Sequence, residues 1–290
     1  MGYGQPPDEP ETGAGSEAPA SVEPLRQSAD VVAPSATSHG SADPVVEFLL
    51  RLGDDRLVLG HRLSEWCGHA PILEEDIALA NIALDCIGHA SLLLARAGAL
   101  EGAGRDEDAL AYHRDAVEFR NALLMELPND DFAFTIARQF LVDAFAFHAF
   151  QALAAAPDED TAGIAAKAHK ETTYHLRHSA EWMLRLGDGT AESHVRAQRA
   201  LERAWPYTGE LFAEDAVTRA VAERGWPADV AALRAPWLRT VTDVVTRATL
   251  ELPDDGFMHH GGRQGRHTEH LGHLLAEMQI VARSHPGATW

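Results

Sequence analysis

The sequence predicts an all-α protein, a bundle of long antiparallel helices with further helices toward its C-terminus. Three observations carry this reading. From Asp43 onward, apolar residues recur at three- and four-residue spacing almost without interruption, the period of helices with a buried side. Turn signals rich in Gly and Pro, such as Gly68-His69-Ala70-Pro71 and Gly187-Asp188-Gly189, punctuate that pattern at helix-length intervals. No run of alternating β-branched residues suggests a sheet.

The elements follow in order. Residues 1–42 carry five spaced proline sites among Gly, Ser, Ala and acidic residues, too little apolar content to offset the entropy of ordering. They read as a disordered N-terminal tail, not a signal peptide, since no basic start leads into an apolar run. A helical domain is expected over residues 43–290. Its first helix runs through Val46, Phe48, Leu57 and Leu63 to Trp66. A second, over residues 74–97, opens on Glu74-Glu75-Asp76, acids favoured at a helix start. It is apolar nearly all round and so buried on several sides. A shorter helix is expected over residues 106–127, a Phe-rich one over 132–156 and a fourth long one over 161–186. Segments at 192–205, 214–224, 227–250 and 268–284 complete the chain, with Pro227 in the first turn of its helix. Residues 253–265 read as a long loop.

Composition narrows the function. With 24 Lys and Arg against 44 Asp and Glu, the formal net charge is −20. Such a chain repels phosphate backbones and anionic surfaces, so neither nucleic acid nor membrane is expected as a partner. No stretch approaches the ~20 uninterrupted apolar residues that span a bilayer. Two cysteines, Cys67 and Cys86, suit a reducing compartment and support neither a disulfide framework nor a thiolate zinc site. A cytoplasmic location is expected.

A buried helix carries a polar stripe only if something satisfies it. Asn81, Asp85 and His89 share one face of the second long helix, and Glu171, His175 and His178 one face of the fourth. Asp143 lies inside the Phe-rich helix, and the hairpin about Pro157 places it level with Glu171. Carboxylates and imidazoles converging in a bundle suggest a di-iron centre, which takes a Glu-x-x-His from each of two helices. None of the 16 histidines has an acid three residues earlier. Reflection through the Gly68 turn puts Leu57, not an acid, opposite Asp85. Asp85, His89, Asp143, Glu171 and His175 are therefore expected to form a hydrogen-bonded and ionic core cluster, a degenerate metal site with neither metal nor catalytic residues. His267-Thr268-Glu269-His270 lacks the His-Glu-x-x-His spacing of zinc helices and reads as a helix start with Thr268 as cap and exposed imidazoles. Gly261-Gly262-Arg263-Gln264-Gly265-Arg266 has the makings of an anion cradle, but a mobile loop is the stronger reading.

Several strings resemble the C-subunit family of the phenylacetyl-CoA epoxidase complex. They are Arg51-Leu-Gly-Asp-Asp-Arg56, Arg62-Leu-Ser-Glu-Trp-Cys-Gly-His-Ala-Pro71, Asp76-Ile-Ala-Leu-Ala-Asn-Ile-Ala-Leu-Asp85, Thr135-Ile-Ala-Arg-Gln-Phe140, Tyr174-His-Leu-Arg177, Arg185-Leu-Gly-Asp-Gly-Thr190, His267-Thr-Glu-His-Leu-Gly272 and Leu275-Ala-Glu-Met-Gln279. The resemblance spans residues 43–290. It implies a ferritin-like four-helix bundle with additional C-terminal helices, acting as a non-catalytic structural subunit of a multicomponent monooxygenase. In that system a ferritin-like A subunit holds the di-iron centre, binds the CoA thioester and forms the ring 1,2-epoxide. A reductase with flavin and an iron–sulfur centre delivers electrons from NADPH. The C subunit pairs with A and holds no cofactor. The alternatives are a self-sufficient di-iron oxidase or oxygenase with atypical ligand spacing and, more remotely, a ferritin-like iron store.

Overall fold

The computed structural model describes Gly2 and residues 43–288, so the expected tail lies outside the described residues, Gly2 apart. The described residues form ten α-helices and five short 3-10 turns, with no strand among them. The architecture is the expected ferritin-like bundle. α1 (Pro44–Ser64) and α2 (Leu73–Glu101) make one antiparallel pair. Short α3 (Glu107–Tyr112) and α4 (Leu123–Glu126) lead to the second pair, α5 (Phe132–Leu153) and α6 (Glu159–Gly187). α7 (Ala191–Ala204) and α9 (Arg234–Arg247) pack on α5, α8 (Ala216–Glu223) on α1, and α10 (Glu269–Ser284) on α3.

Local chemistry sets the helix ends. Asp43 accepts from the Val45 amide at 2.8 Å, ahead of Pro44 in the first turn, and Asp131 accepts from Phe134 at 2.8 Å. Asp158 caps α6 through the Thr161 amide at 2.9 Å and is paired with Arg96 of α2, which ties that helix end to its neighbour. α2 has no side-chain cap, and the acids of its first turn face the positive end of its dipole instead. It stops at Gly102, whose φ of 69° is the left-handed conformation that a glycine adopts without steric cost.

Two expected helices are broken. Residues 106–127 form α3, a 3-10 turn at Ala116–Glu118 and α4, not one helix. The backbone between them is drawn out to serve carboxylates of α1: the amides of Arg120 and Ala122 donate to Asp54 and Asp55, each at 2.8 Å. Pro227 does not open α9, which starts at Arg234 after a 3-10 turn at Ala231–Leu233. Gly225, with φ of 82°, reverses the chain after α8 and holds Pro227 outside any helix. α2 is also longer and more open than expected. By length and composition it would cross a membrane, yet 44% of that apolar window is buried inside the bundle. Ile77, Leu84 and Leu92 face outward.

α1 is buried on most sides although Arg51, Asp54, Asp55, Arg56 and Arg62 lie along it. Asp54 takes Arg114 Nη1 at 3.0 Å, and Asp55 takes Arg263 through Nη1 at 3.0 Å and Nη2 at 2.8 Å. Arg62 donates to the carbonyls of Glu126 and His270, both at 3.0 Å through Nη2. Breaking a buried ion pair by removing one partner typically costs ~3–5 kcal/mol, because the other charge is stranded. Asp54→Ala should therefore lower the urea unfolding free energy by about 3 kcal/mol or more. Val195→Ala, on the exposed face of α7, should change it by less than about 0.5 kcal/mol.

Candidate functional site

The polar centre of the bundle lies where α2 and α6 run antiparallel. Their inward faces meet in three carboxylate–imidazole pairs. His89 Nε2 is 2.6 Å from Glu171 Oε2, His175 Nε2 is 3.0 Å from Asp85 Oδ2, and His178 Nε2 is 2.8 Å from Glu75 Oε2. The His89 and His175 rings are buried, their centroids 6.4 Å apart, while the side chains of Asp85 and Glu171 are 41% and 27% exposed at the rim. Lys167, one turn before Glu171, donates to it at 2.7 Å.

Asp143 enters from α5 and is wholly buried. Gln139 donates to it at 2.7 Å and Ser179 at 2.9 Å. The expected register with Glu171 is not observed: Asp143 reaches Ser179, about two turns further along α6. Of the five residues expected to cluster, Asp85 joins His175 and His89 joins Glu171. Asp143 makes its own bonds beside them, with His175 and Arg56 opposing the effect of its burial. Asn81, read as part of the inward stripe, is exposed.

Other members were missed. Glu75 looks in sequence like a helix-start acid, and only packing shows that it also holds His178. Arg56 precedes Leu57, the residue that reflection through the turn placed opposite Asp85. Its guanidinium is buried with its carbon 5.7 Å from the Phe150 ring centroid, and His89 meets the same ring edge-on at 5.6 Å. Its charge acts on Cys86, His89 and Asp143.

Burial decides the charge states. It lowers His89 to about 4, despite the opposing bond to Glu171, so the ring is neutral at pH 7 and donates Nε2–H to that carboxylate. Burial would raise Glu171, but the hydrogen bonds from Lys167 and His89 outweigh it and hold the group below its ordinary value. Asp143 is raised by burial against the pull of His175 and Arg56. Burial pushes the Cys86 thiol up to about 12, which makes it a small apolar core residue and no nucleophile.

This donor set does not fit a di-iron centre. Both imidazoles already commit Nε2 to a carboxylate, Asp143 is engaged by neutral donors, and a fixed guanidinium repels a divalent cation from the same space. Among the described residues, no three His, Cys, Asp or Glu side chains are placed to hold a metal ion. Arg56 Nη1, His89 Nδ1, Gln139 Oε1, Thr172 Oγ1 and His175 Nδ1 have no partner among the described atoms. Buried groups of this kind are ordinarily bridged by water. The arrangement supports a hydrogen-bonded core and offers no activated nucleophile.

The two C-terminal motifs are also structural. The glycine-rich loop is no mobile loop and holds an anion of the protein's own. Glu210 Oε1 accepts from the amides of Gly261 at 2.8 Å and Arg263 at 3.2 Å, and Oε2 from Leu123 at 2.8 Å. A Cβ on Gly262 would stand 2.1 Å from the Asn121 carbonyl, so that approach requires glycine. His267 is not exposed: Nδ1 lies 2.8 Å from Glu126 Oε2 and Nε2 3.0 Å from the Phe119 carbonyl. Thr268 makes no side-chain cap; its amide donates to Glu126 at 2.6 Å.

Comparison with known proteins identifies the family. Residues 27–290 match the model of the phenylacetic acid catabolic protein family. The chain is 49% identical over 243 residues to the C subunit of the 1,2-phenylacetyl-CoA epoxidase of Escherichia coli strain K12, a match that covers 84% of this chain and 98% of that protein.

The neutral His89 gives a pH dependence of defined sign. Its folded value lies below its unfolded one, so the unfolded chain binds the extra proton first. Its contribution to stability is complete above about pH 6.5 and lost as pH falls toward 4. The unfolding free energy should drop across that window, and His89→Gln should reduce the drop by about 3 kcal/mol at most. An unchanged slope in a folded His89→Gln variant would contradict the assignment.

Proposed function

We propose that this chain, which belongs to the phenylacetic acid catabolic protein family, is the non-catalytic C subunit of a multicomponent 1,2-phenylacetyl-CoA epoxidase. The subunit role in phenylacetate catabolism rests on the relative of that name, to which the match runs nearly end to end. The non-catalytic part rests on one observation: the polar centre is closed on itself, with carboxylates bound to imidazoles and a guanidinium among them.

In this reading the ring-epoxidising chemistry belongs to a ferritin-like di-iron A subunit that binds the CoA thioester. NADPH, flavin and the iron–sulfur centre belong to the reductase. The present chain pairs with A and carries none of these groups. It acts in the cytoplasm, without nucleic-acid or membrane partners, in keeping with its charge of −20. A self-sufficient di-iron oxidase is disfavoured by the engaged imidazoles and by the absence of any acid three residues before a histidine.

Two measurements test the reading. Anaerobic ferrous titration of the isolated chain should leave it without stoichiometric iron, whereas two irons per chain would revive the oxidase alternative. Epoxidation of phenylacetyl-CoA by the A subunit and reductase should rise at least tenfold when this chain is added. An A subunit fully active alone, beside a chain that does not bind it, would refute the assignment.

A further inference from the structure

α2 is the least covered of the long apolar helices. Leu73, Ile77 and Leu84 repeat at spacings of four and seven on one face and are 71%, 54% and 66% exposed. Leu92 lies a little over two turns on, and Tyr174 of α6, the residue before His175, is 73% exposed. Gly88 lies between Leu84 and Leu92, and nothing comes within 4 Å of where its Cβ would be. Exposed Asn81 interrupts the row between Ile77 and Leu84; singly exposed apolar residues are ordinary, but several along one helix face mark a contact surface.

The second observation is charge. Asp85 sits on the edge of this ridge, next to Leu84, with its side chain 41% exposed. Its Oδ2 takes His175 from inside, and its Oδ1 has no partner among the described residues. Glu171 across the seam differs, because Lys167 and His89 already engage it. Covering the apolar ridge takes water away from one half-paired carboxylate. A covered carboxylate needs a donor, and a cationic one suits it best.

We infer that the outward α2–α6 face, from Leu73 to Leu92 with Tyr174, is the docking surface for a helix of the partner subunit that carries an apolar ridge and one basic side chain opposite Asp85. This rests on the pairing reading above and specifies its location and chemistry. The interface joins an apolar centre, which salt leaves intact, to one ion pair that sets register.

The test uses the full chain and the di-iron subunit, with assembly followed by light scattering after size exclusion and affinity by titration. Leu84→Glu and Ile77→Glu place a charge in the apolar centre and should weaken assembly roughly a hundredfold. Asp85→Lys should weaken it to a similar degree, and Asp85→Asn roughly tenfold. Val195→Glu, an equally exposed apolar position on α7, should assemble like wild type. Hydrogen exchange of the wild-type complex should show protection over residues 73–92, a reading that depends on no variant folding. If wild type forms no complex, the pairing reading fails and this inference with it. If wild type assembles but Leu84→Glu binds as tightly, or Val195→Glu loses as much, the face is wrong while the pairing stands.

Discussion

The structure depends on two adjacent carboxylates buried in α1. Asp54 and Asp55 each bind an arginine from a distant segment together with a backbone amide, Asp54 from residues 114–120 and Asp55 from residues 122 and 263. Those segments have little secondary structure, so their amides would otherwise need water. A buried pair of this kind gives little net stability over a well-packed apolar alternative, but a broken one is costly. Its effect is to permit one arrangement only. Asp54 and Asp55 must face the crossover and the C-terminal loop, which rotates Arg56 toward Phe150 and the bundle centre. Glu126 and Glu210 complete the arrangement by binding amides on either side of the same loop.

The centre follows the same logic with less charge. α2 and α6 meet through three carboxylate–imidazole pairs. Sliding α6 by one turn along α2 would break the bonds of His89, His175 and His178 together, so the three pairs fix register. Burial keeps His89 uncharged, which spares the core a cation that it could not solvate. In a metal-binding bundle the ion supplies the positive charge that draws carboxylates inward. Here Arg56 and the histidines supply donors instead, and Asp85 and Glu171 stay at the rim.

Much of this was legible in the sequence, for identifiable reasons. The four long helices follow from periodicity, because that signal is local, although α2 runs past its expected end at residue 97 to Glu101. Spacing put Asp85 and His89 on one helix face and Glu171 and His175 on another, but which carboxylate meets which imidazole appears only in the packing. The break at residues 113–122 was not legible, since its cause, Asp54 and Asp55, lies about sixty residues away. Arg51-Leu-Gly-Asp-Asp-Arg56 and His267-Thr-Glu-His stood out as unusual strings, yet neither carries a chemical motif. They prove to be opposite sides of one set of buried contacts, visible only when the chain is folded. The register of Asp143 was missed because reflection through a loop leaves an uncertainty of about two turns.

α2 combines both roles in a single residue. Asp85 closes a core pair with His175 through one oxygen and presents the other to the open face. Covering that face lowers the local dielectric, which strengthens the attraction between a carboxylate and any donor aligned with it. Docking at this face would therefore tighten the Asp85–His175 contact as well as shield Leu84. Anything that binds only the folded state stabilises it by mass action. With a partner docked on the face proposed above, assembly and folding would be coupled through the same carboxylate. Such coupling would give a physical reason for a half-exposed acid at this position of α2, where a leucine would leave His175 without its acceptor.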